Sequence, residues 1–209
     1  ETCDHMLSRC LTRTLHMRKM INDLLDLTRI ESGQRRRDLA RVDLAAQART
    51  AIETALPAAR DRGITLHLHG PSPLWLEADA SELDIVLNNL IGNAVKYNRD
   101  QGRVDVTLAE NNGQVTVRVA DTGIGMTPEE AGRIFQDFVR IKNKKTRNID
   151  GSGLGLSTVR KLAQLYGGAV SVSSAPDEGS VFTVTLPSGA PPGPSPGETP
   201  GGAPLGRVT

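Results

Sequence analysis

Apolar residues recur every three or four positions at Leu7, Cys10, Leu11, Met17, Met20, Ile21, Leu24, Leu25 and Leu27, which predicts a long helix over residues 2–30 with one apolar side. Such a helix needs a partner, either the domain that follows it or the other half of a helical hairpin. Gly33 is a natural stop after Glu31-Ser32, and Arg35-Arg36-Arg37 reads as a solvated linker. A second helical period, Leu44, Ala48, Ala51, Ile52, Ala55 and Leu56, begins behind Asp43, whose side chain can cap it; Pro57 is expected to bend or divide it before Gly63. The period then changes to two, predicting strands at Ile64-Thr65-Leu66-His67-Leu68 and Leu74-Trp75-Leu76-Glu77. Asp79-Ala80-Ser81-Glu82 has the form of a capping box, with Asp79 accepting from the amide near Glu82 and Glu82 reaching back. The helix it opens turns Leu83, Val86, Leu87, Leu90, Ile91, Ala94 and Val95 to one side and stacks Asn89, Asn93 and Lys96 on another.

Val104 to Leu108 and Val115 to Val119 alternate as two strands joined by the hairpin signal Asn111-Asn112-Gly113. The glycine cluster Asp121-Thr122-Gly123-Ile124-Gly125 follows the second strand. Thr127-Pro128-Glu129-Glu130 then starts a short helix expected to run through Ile134 and Phe135. Residues 140–149 are too polar and basic to pack and read as a mobile loop. A second cluster, Gly151-Ser152-Gly153-Leu154-Gly155-Leu156, runs into a helical pattern at Leu156, Val159, Leu162, Ala163 and Tyr166. Strand, glycine turn, basic loop, glycine turn and helix form a plausible clamp for a phosphorylated ligand. Ala169 to Ser173 and Val181 to Leu186 are two further strands around a turn at Pro176 to Gly179, and residues 188–209 read as a disordered tail.

Composition narrows the function classes. The 209 residues suffice for one good core, and 25 basic against 24 acidic side chains leave no field that argues for nucleic acid or a membrane surface. Aromatic residues are only 3%, too few for base-stacking platforms, so nucleic acid is a poor partner. Cys3 and Cys10 lie two helical turns apart, too far for an easy disulfide, which fits a reducing, cytoplasmic setting. The chain has no long apolar run and no signal peptide, and it starts at Glu1 rather than Met, so a soluble fragment of something longer is expected. His67 and His69 share a strand face, but no Cys or acidic cluster joins them in sequence, so they are read as ordinary solvent-facing histidines rather than metal ligands.

Four segments together carry a resemblance. Asn89-Leu90-Ile91-Gly92-Asn93-Ala94-Val95-Lys96-Tyr97, Asp121 to Gly125, Ile134-Phe135-Gln136-Asp137-Phe138 and Gly151 to Leu156 resemble, in order and spacing, the N, G1, F and G2 boxes of sensor histidine kinases. The resemblance implies an α/β sandwich: a mixed, mainly antiparallel sheet covered on one face by helices, with ATP between the helices and a mobile lid. It further implies a catalytic ATP-binding domain at 43–187, a linker at 34–42, and the second helix of a dimerisation bundle at 1–33. Asp121 suits adenine, since a carboxylate accepts from the exocyclic amine but would meet a carbonyl oxygen in guanine. Gly123 and Gly125 permit close backbone approach, and Gly153 and Gly155 present amides at a helix start, where phosphate oxygens are favoured. By resemblance Tyr97 lies beside the base and Asn93 is a Mg2+ ligand, with Asn89 one turn away. Ile124, Phe138, Gly151, Ser152, Leu154 and Leu156 complete the expected ATP contacts. Asn89, Lys96 and Arg140 are the candidates for catalysis, while Lys142, Lys144, Lys145 and Arg147 are expected to be solvated.

The chain departs from the family at the phosphoacceptor. No histidine among residues 1–30 is followed by an acid and then a proline turn: His5 precedes Met6-Leu7-Ser8, and His16 lies inside the helix. The implied activity is transfer of the ATP γ-phosphate to a histidine on a helix of the same protein's dimer, then to a response regulator. Two alternatives remain. The ATP-hydrolysing machines of the type II topoisomerase, MutL and chaperone group place a water-activating glutamate where Asn89 stands. The other is a module that only binds ATP, or a serine kinase of the anti-sigma type.

Overall fold

The computed structural model describes residues 37–141, 146, 147, 149 and 151–189, together with a set of helical positions between 6 and 28. At those helical positions the apolar side chains, among them Leu7, Leu11, Met17, Ile21 and Leu24, are exposed, so this stripe is not packed on the domain that follows. Cys10 is a free, exposed thiol. The expected disordered tail lies, beyond Gly189, outside the described residues.

The ordered elements are β1 (Ala40–Asp43), α1 (Leu44–Arg60), β2 (Thr65–His69), β3 (Trp75–Ala78), α2 (Ala80–Lys96), β4 (Arg103–Asn111), β5 (Gln114–Asp121), α3 (Pro128–Ala131), α4 (Gly155–Leu165), β6 (Ala169–Ala175) and β7 (Gly179–Pro187). Five strands form one sheet in the order β2-β4-β5-β7-β6, with β2 parallel to β4 and every other pair antiparallel. β1 and β3 pair separately as a short antiparallel ribbon. This is the expected α/β sandwich.

Period-two alternation decides which face of the sheet is covered. Val104, Val106 and Leu108 on β4, Val115, Val117 and Val119 on β5, and Phe182, Val184 and Leu186 on β7 are all buried, and they meet the apolar faces of α1, α2 and α4. Arg103, Arg118 and their neighbours point the other way. The β4–β5 hairpin closes through Asn112 and Gly113, both at positive φ (51° and 73°), the two-residue turn predicted from the sequence.

Pro57 does not divide α1. Asp43 caps the helix by accepting from the Ala45 amide, and the buried side at Ala48, Ala51 and Ala59 holds the helix against the domain on both sides of the proline. Pro57 itself is exposed, so the carbonyl it leaves unbonded is available to water. α3, by contrast, is shorter than expected. Its predicted capping box is present, with Thr127 Oγ1 accepting from Glu130 N and Thr127 N donating to Glu130, but Gly132 ends it before Ile134.

The capping box expected at Asp79 is replaced by a three-group relay. Asp79 accepts from Ser81 N at 2.9 Å, but its own amide donates to the Tyr166 hydroxyl at 2.9 Å, which in turn donates to Glu82 Oε2 at 2.6 Å. Glu82 is 2% exposed and is paired with Arg37, whose Nε lies 3.0 Å from Oε2 and whose guanidinium stacks 4.2 Å from the Tyr166 ring centre. Burial, together with the bond to Glu82, pushes the Tyr166 hydroxyl up to about 12. At the other end of α2, Arg62 donates to the carbonyls of Val95, Lys96 and Asn98 and so ties down the chain where the helix ends.

Tyr166→Phe removes the hydroxyl while keeping the ring, so the Asp79 amide and the Glu82 carboxylate are left without that partner in a buried site. Urea unfolding should show a loss of about 1–3 kcal/mol; a change within error would show that the relay carries no stability.

Candidate functional site

The apolar stripe of α2 is committed to the core, which turns Asn89, Asn93 and Lys96 away from it and into a cavity of about 330 Å³. Tyr97, at the end of the helix, continues this wall. The end of β5 contributes Asp121, and β7 contributes Ser180 and Phe182 beside it. Ile124, Met126, Ile134, Val139 and Ile141 supply apolar surface, and residues of the second glycine cluster close the remaining side.

Asp121 is 9% exposed, and among the described residues no basic group lies within ion-pair distance of it. Its Oδ1 accepts from Gly123 N at 2.8 Å, and the Ser180 amide also donates to the carboxylate. Burial pushes this carboxyl up to about 6, with the two amides pulling against it. The Tyr97 hydroxyl is likewise raised by burial and drawn back by Arg140. Around Asp121 the backbone is tightly tied: Ile124 N donates to Tyr97 O, Asp177 N to Ile124 O, and buried Asn98 joins Arg99 N, Thr122 Oγ1 and Arg103 O. A fixed anionic acceptor among apolar walls suits a flat heterocycle with a donor edge.

At the other end of the cavity the second glycine cluster lies against the three proposed catalytic side chains. A Cβ on Gly151 would crowd Lys96 Nζ, one on Gly153 would crowd Arg140 Cγ, and one on Gly155 would collide with Asn89 Oδ1. α1, α2 and α3 each begin with a side-chain cap, whereas α4 begins at Gly155 with no side-chain cap hydrogen bond, so its first amides stand open at the cavity. Open helix-start amides beside Lys96 and Arg140 make an anion cradle. Asn88 and Asn89 each donate to their own helix, at Asp84 O and Ile85 O, whereas among the described residues Asn93 makes no side-chain hydrogen bond. Its carboxamide oxygen is a suitable donor for a hard cation shared with phosphate, so the residues present fit both ATP and Mg2+.

Asn89, Asn93, Lys96, Tyr97, Asp121, Ile124, Gly125, Arg140, Gly151, Ser152, Gly153, Gly155 and Leu156 all line the cavity. Three expected contacts do not. Gly123 packs behind the wall against Tyr97 O, and Leu154 is 1% exposed in the core, where its carbonyl accepts from Ser157 and Thr158. Phe138 is 63% exposed at a φ of 60°, and Phe135 rather than Phe138 makes the edge contact with Phe182. At its described positions the segment 140–149 is less open than its polarity suggested. Thr146 is buried and donates to Ile141 O at 2.6 Å, and Arg140 donates to Ile149 O at 2.6 Å. Arg147 is exposed, as expected, while Lys142, Lys144 and Lys145 lie outside the described residues. Ser180, Phe182, Met126 and Thr146 were missed, because strand alternation and loop polarity give no sign that they share a cavity.

Known proteins share the sequence pattern and the fold of this chain. The family described as "Histidine kinase-, DNA gyrase B-, and HSP90-like ATPase" matches residues 78–190. An uncharacterized sensor-like histidine kinase of Rhizobium meliloti (strain 1021) is 39% identical over 177 residues, which cover 84% of this chain and 34% of that protein. The crystal structure of full-length ShkA in complex with AMPPNP superposes with a TM-score of 0.72 at 34% identity, covering 84% of this chain and 37% of that one. The histidine kinase ThkA, solved in complex with the response regulator protein TrrA, shares the fold with a TM-score of 0.67 at 22% identity, covering 88% of this chain and 50% of that chain. This chain thus spans about a third to a half of the proteins it resembles.

The raised Asp121 carboxyl has a consequence for stability. The native state holds this proton up to about pH 6, whereas the unfolded chain releases it near 4, so stability from Asp121 is fully present below 4 and is lost as pH rises through 6. Asp121→Asn should therefore stabilise the nucleotide-free chain by about 2–3 kcal/mol at pH 7.5, with the gain vanishing below pH 4. Urea titrations of both proteins across that range check this, and a variant less stable at pH 7.5 would contradict it.

Proposed function

We propose a phosphotransfer role for this chain, which belongs to the histidine kinase-, DNA gyrase B-, and HSP90-like ATPase family and carries the ATP-binding catalytic domain of a sensor histidine kinase. In this reading it delivers the ATP γ-phosphate to a histidine on a dimerisation helix of the same protein, from which an aspartate of a response regulator receives it. The observation that carries the reading is a single cavity joining a buried acceptor, Asp121, to an uncapped helix start flanked by Lys96 and Arg140.

Asp121 accepts from the exocyclic amine of adenine, whose ring lies in the apolar recess beside Tyr97. The triphosphate turns towards the amides at Gly153 and Gly155, with Lys96 and Arg140 neutralising its charge. Asn93, with Asn89 one turn away, would hold Mg2+, which when bound offsets charge on the phosphate oxygens. These groups position and stabilise; no side chain of the chain is asked to take a proton. A nitrogen of the acceptor imidazole forms the new bond to the γ-phosphorus as the bond to the bridging oxygen breaks, and ADP leaves. Asn89 donates its amide to Ile85 O and has no basic lone pair for water, which disfavours a hydrolytic machine.

In the same reading residues 43–187 are the catalytic domain, 34–42 the linker, 1–33 the second helix of a homodimeric bundle and 188–209 a tail. Neither His5 nor His16 is the acceptor. ThkA shares this fold and was solved with its response regulator, the class of partner proposed here.

Radiolabelled ATP tests the proposal directly. The chain alone should remain unlabelled. Adding a polypeptide that carries an acid-flanked acceptor histidine and pairs with residues 2–30 should give an acid-labile, base-stable phosphate on that histidine. Label on His5 or His16, or steady ATP hydrolysis with no labelled acceptor, would contradict it.

A further inference from the structure

The histidines that sequence alone left as solvent-facing are joined in the fold by a carboxylate. β2 is an edge strand, and its period-two pattern buries Leu66 and Leu68 in part while sending His67 and His69 to the outer face of the sheet. The parallel register sets His67 directly opposite Asp105 of β4. His67 Nδ1 lies 3.3 Å and His69 Nε2 lies 3.4 Å from the same oxygen, Asp105 Oδ1, and the three ligand atoms all fall within 4.8 Å of one another.

We propose that His67, His69 and Asp105 form a second cation site, for zinc or a similar transition ion, on the sheet face opposite the helices. A zinc ion with bonds of about 2.0–2.1 Å to tetrahedral ligands sets those ligands about 3.3 Å apart. Two of the three edges of such a tripod already have that length. The third closes by rotation of two imidazoles that are each about half exposed, their side chains at 48% and 56%. Two imidazoles and one carboxylate select zinc, copper or nickel over Mg2+, which prefers oxygen donors throughout, so this site and the nucleotide cavity take different ions. The open positions face solvent and take water.

The surroundings set how tight the site is. Arg103, next but one to Asp105 on β4, donates from Nε to Asp105 Oδ2 at 2.7 Å. That contact orients the carboxylate and leaves Oδ1 towards the histidines, but it also places a fixed positive charge beside an incoming dication. Arg103 is thus the group that limits affinity. An ion bridging β2 and β4 would pin an edge strand whose only partner in the sheet, among the described residues, is β4. Metal bound to the native state alone raises stability by mass action.

Calorimetric titration of the full chain with zinc chloride, in chelator-free buffer without nucleotide, should show one ion bound per chain through this site. Zinc at about a hundred times its dissociation constant should raise the melting temperature by about 5–11 °C, and the same concentration of Mg2+ should not. His67→Gln and His69→Gln are exposed changes that should leave the circular dichroism unaltered and abolish both effects. Arg103→Gln should tighten zinc binding several-fold, a result that a merely structural role for Asp105 does not give. Zinc binding that survives the double histidine variant would place the ion elsewhere, on His5, His16 or the cysteines, and overturn the proposal. No zinc binding by the folded parent chain would overturn it equally.

Discussion

Backbone meets backbone at the end of β5, and the candidate site depends on that corner. A Cβ on Gly123 would strike Tyr97 O, one on Gly125 would strike Ala175 O, and one on Gly179 would strike Asp121 O. Three distant segments, the end of α2, the first glycine turn and the β6–β7 turn, are therefore held at a spacing only glycine allows. Ile124 bonds to both of the other segments, from its amide to Tyr97 and through its carbonyl from Asp177. Asp121 sits at the centre of this corner, its carboxylate fixed by the Gly123 and Ser180 amides rather than by a cation. An acceptor that spends nothing on a salt bridge remains available to a ligand, and its burial makes it costly in the empty protein.

A second set of fixed contacts lies at the N-terminal end of α2. There the relay Asp79–Tyr166–Glu82 joins the start of α2 to the end of α4, and Arg37 adds the segment preceding β1 by pairing with Glu82 and covering the tyrosine ring. The Asp38 amide also donates to Asp79, so two consecutive residues of this segment are bound to the same helix start. At this end of α2 the polar groups are tied to one another, with Arg37 Nη2 held to Glu82 by charge at 3.0 Å and making no hydrogen bond of its own, whereas among the described residues the cavity-facing Asn93 side chain makes no hydrogen bond. The division follows from one helix serving two environments.

Much of this was legible because it rests on local rules. Alternation at Val104 to Leu108 and Val115 to Val119 gave the central strands, Asn112-Gly113 gave the hairpin, and the glycine clusters with Asn89, Asn93 and Asp121 gave most of the cavity. What the structure adds depends on contacts distant in sequence. Glu82 has the right spacing to cap its own helix, yet the hydroxyl of Tyr166, 84 residues away, takes that place. Pro57 breaks helices when its surroundings are neutral, but the buried alanines of α1 hold the helix through it. Phe138 belongs to a recognisable segment, yet its positive φ turns it outwards, and Asp105 reached the two histidines only through a parallel register that no local pattern encodes.

The central claim is that the Asp121 carboxylate reads the amine edge of adenine inside the cavity. Calorimetric affinities of the parent chain and the Asp121→Asn variant for ATP, and for the analogue with hydrogen in place of the exocyclic amine, form a double cycle that isolates this contact. The account predicts that the parent prefers ATP by about tenfold or more and that the variant loses most of that preference, as expected for a charge-assisted bond in a buried site. An equal preference for ATP in both proteins would show that Asp121 does not touch the amine.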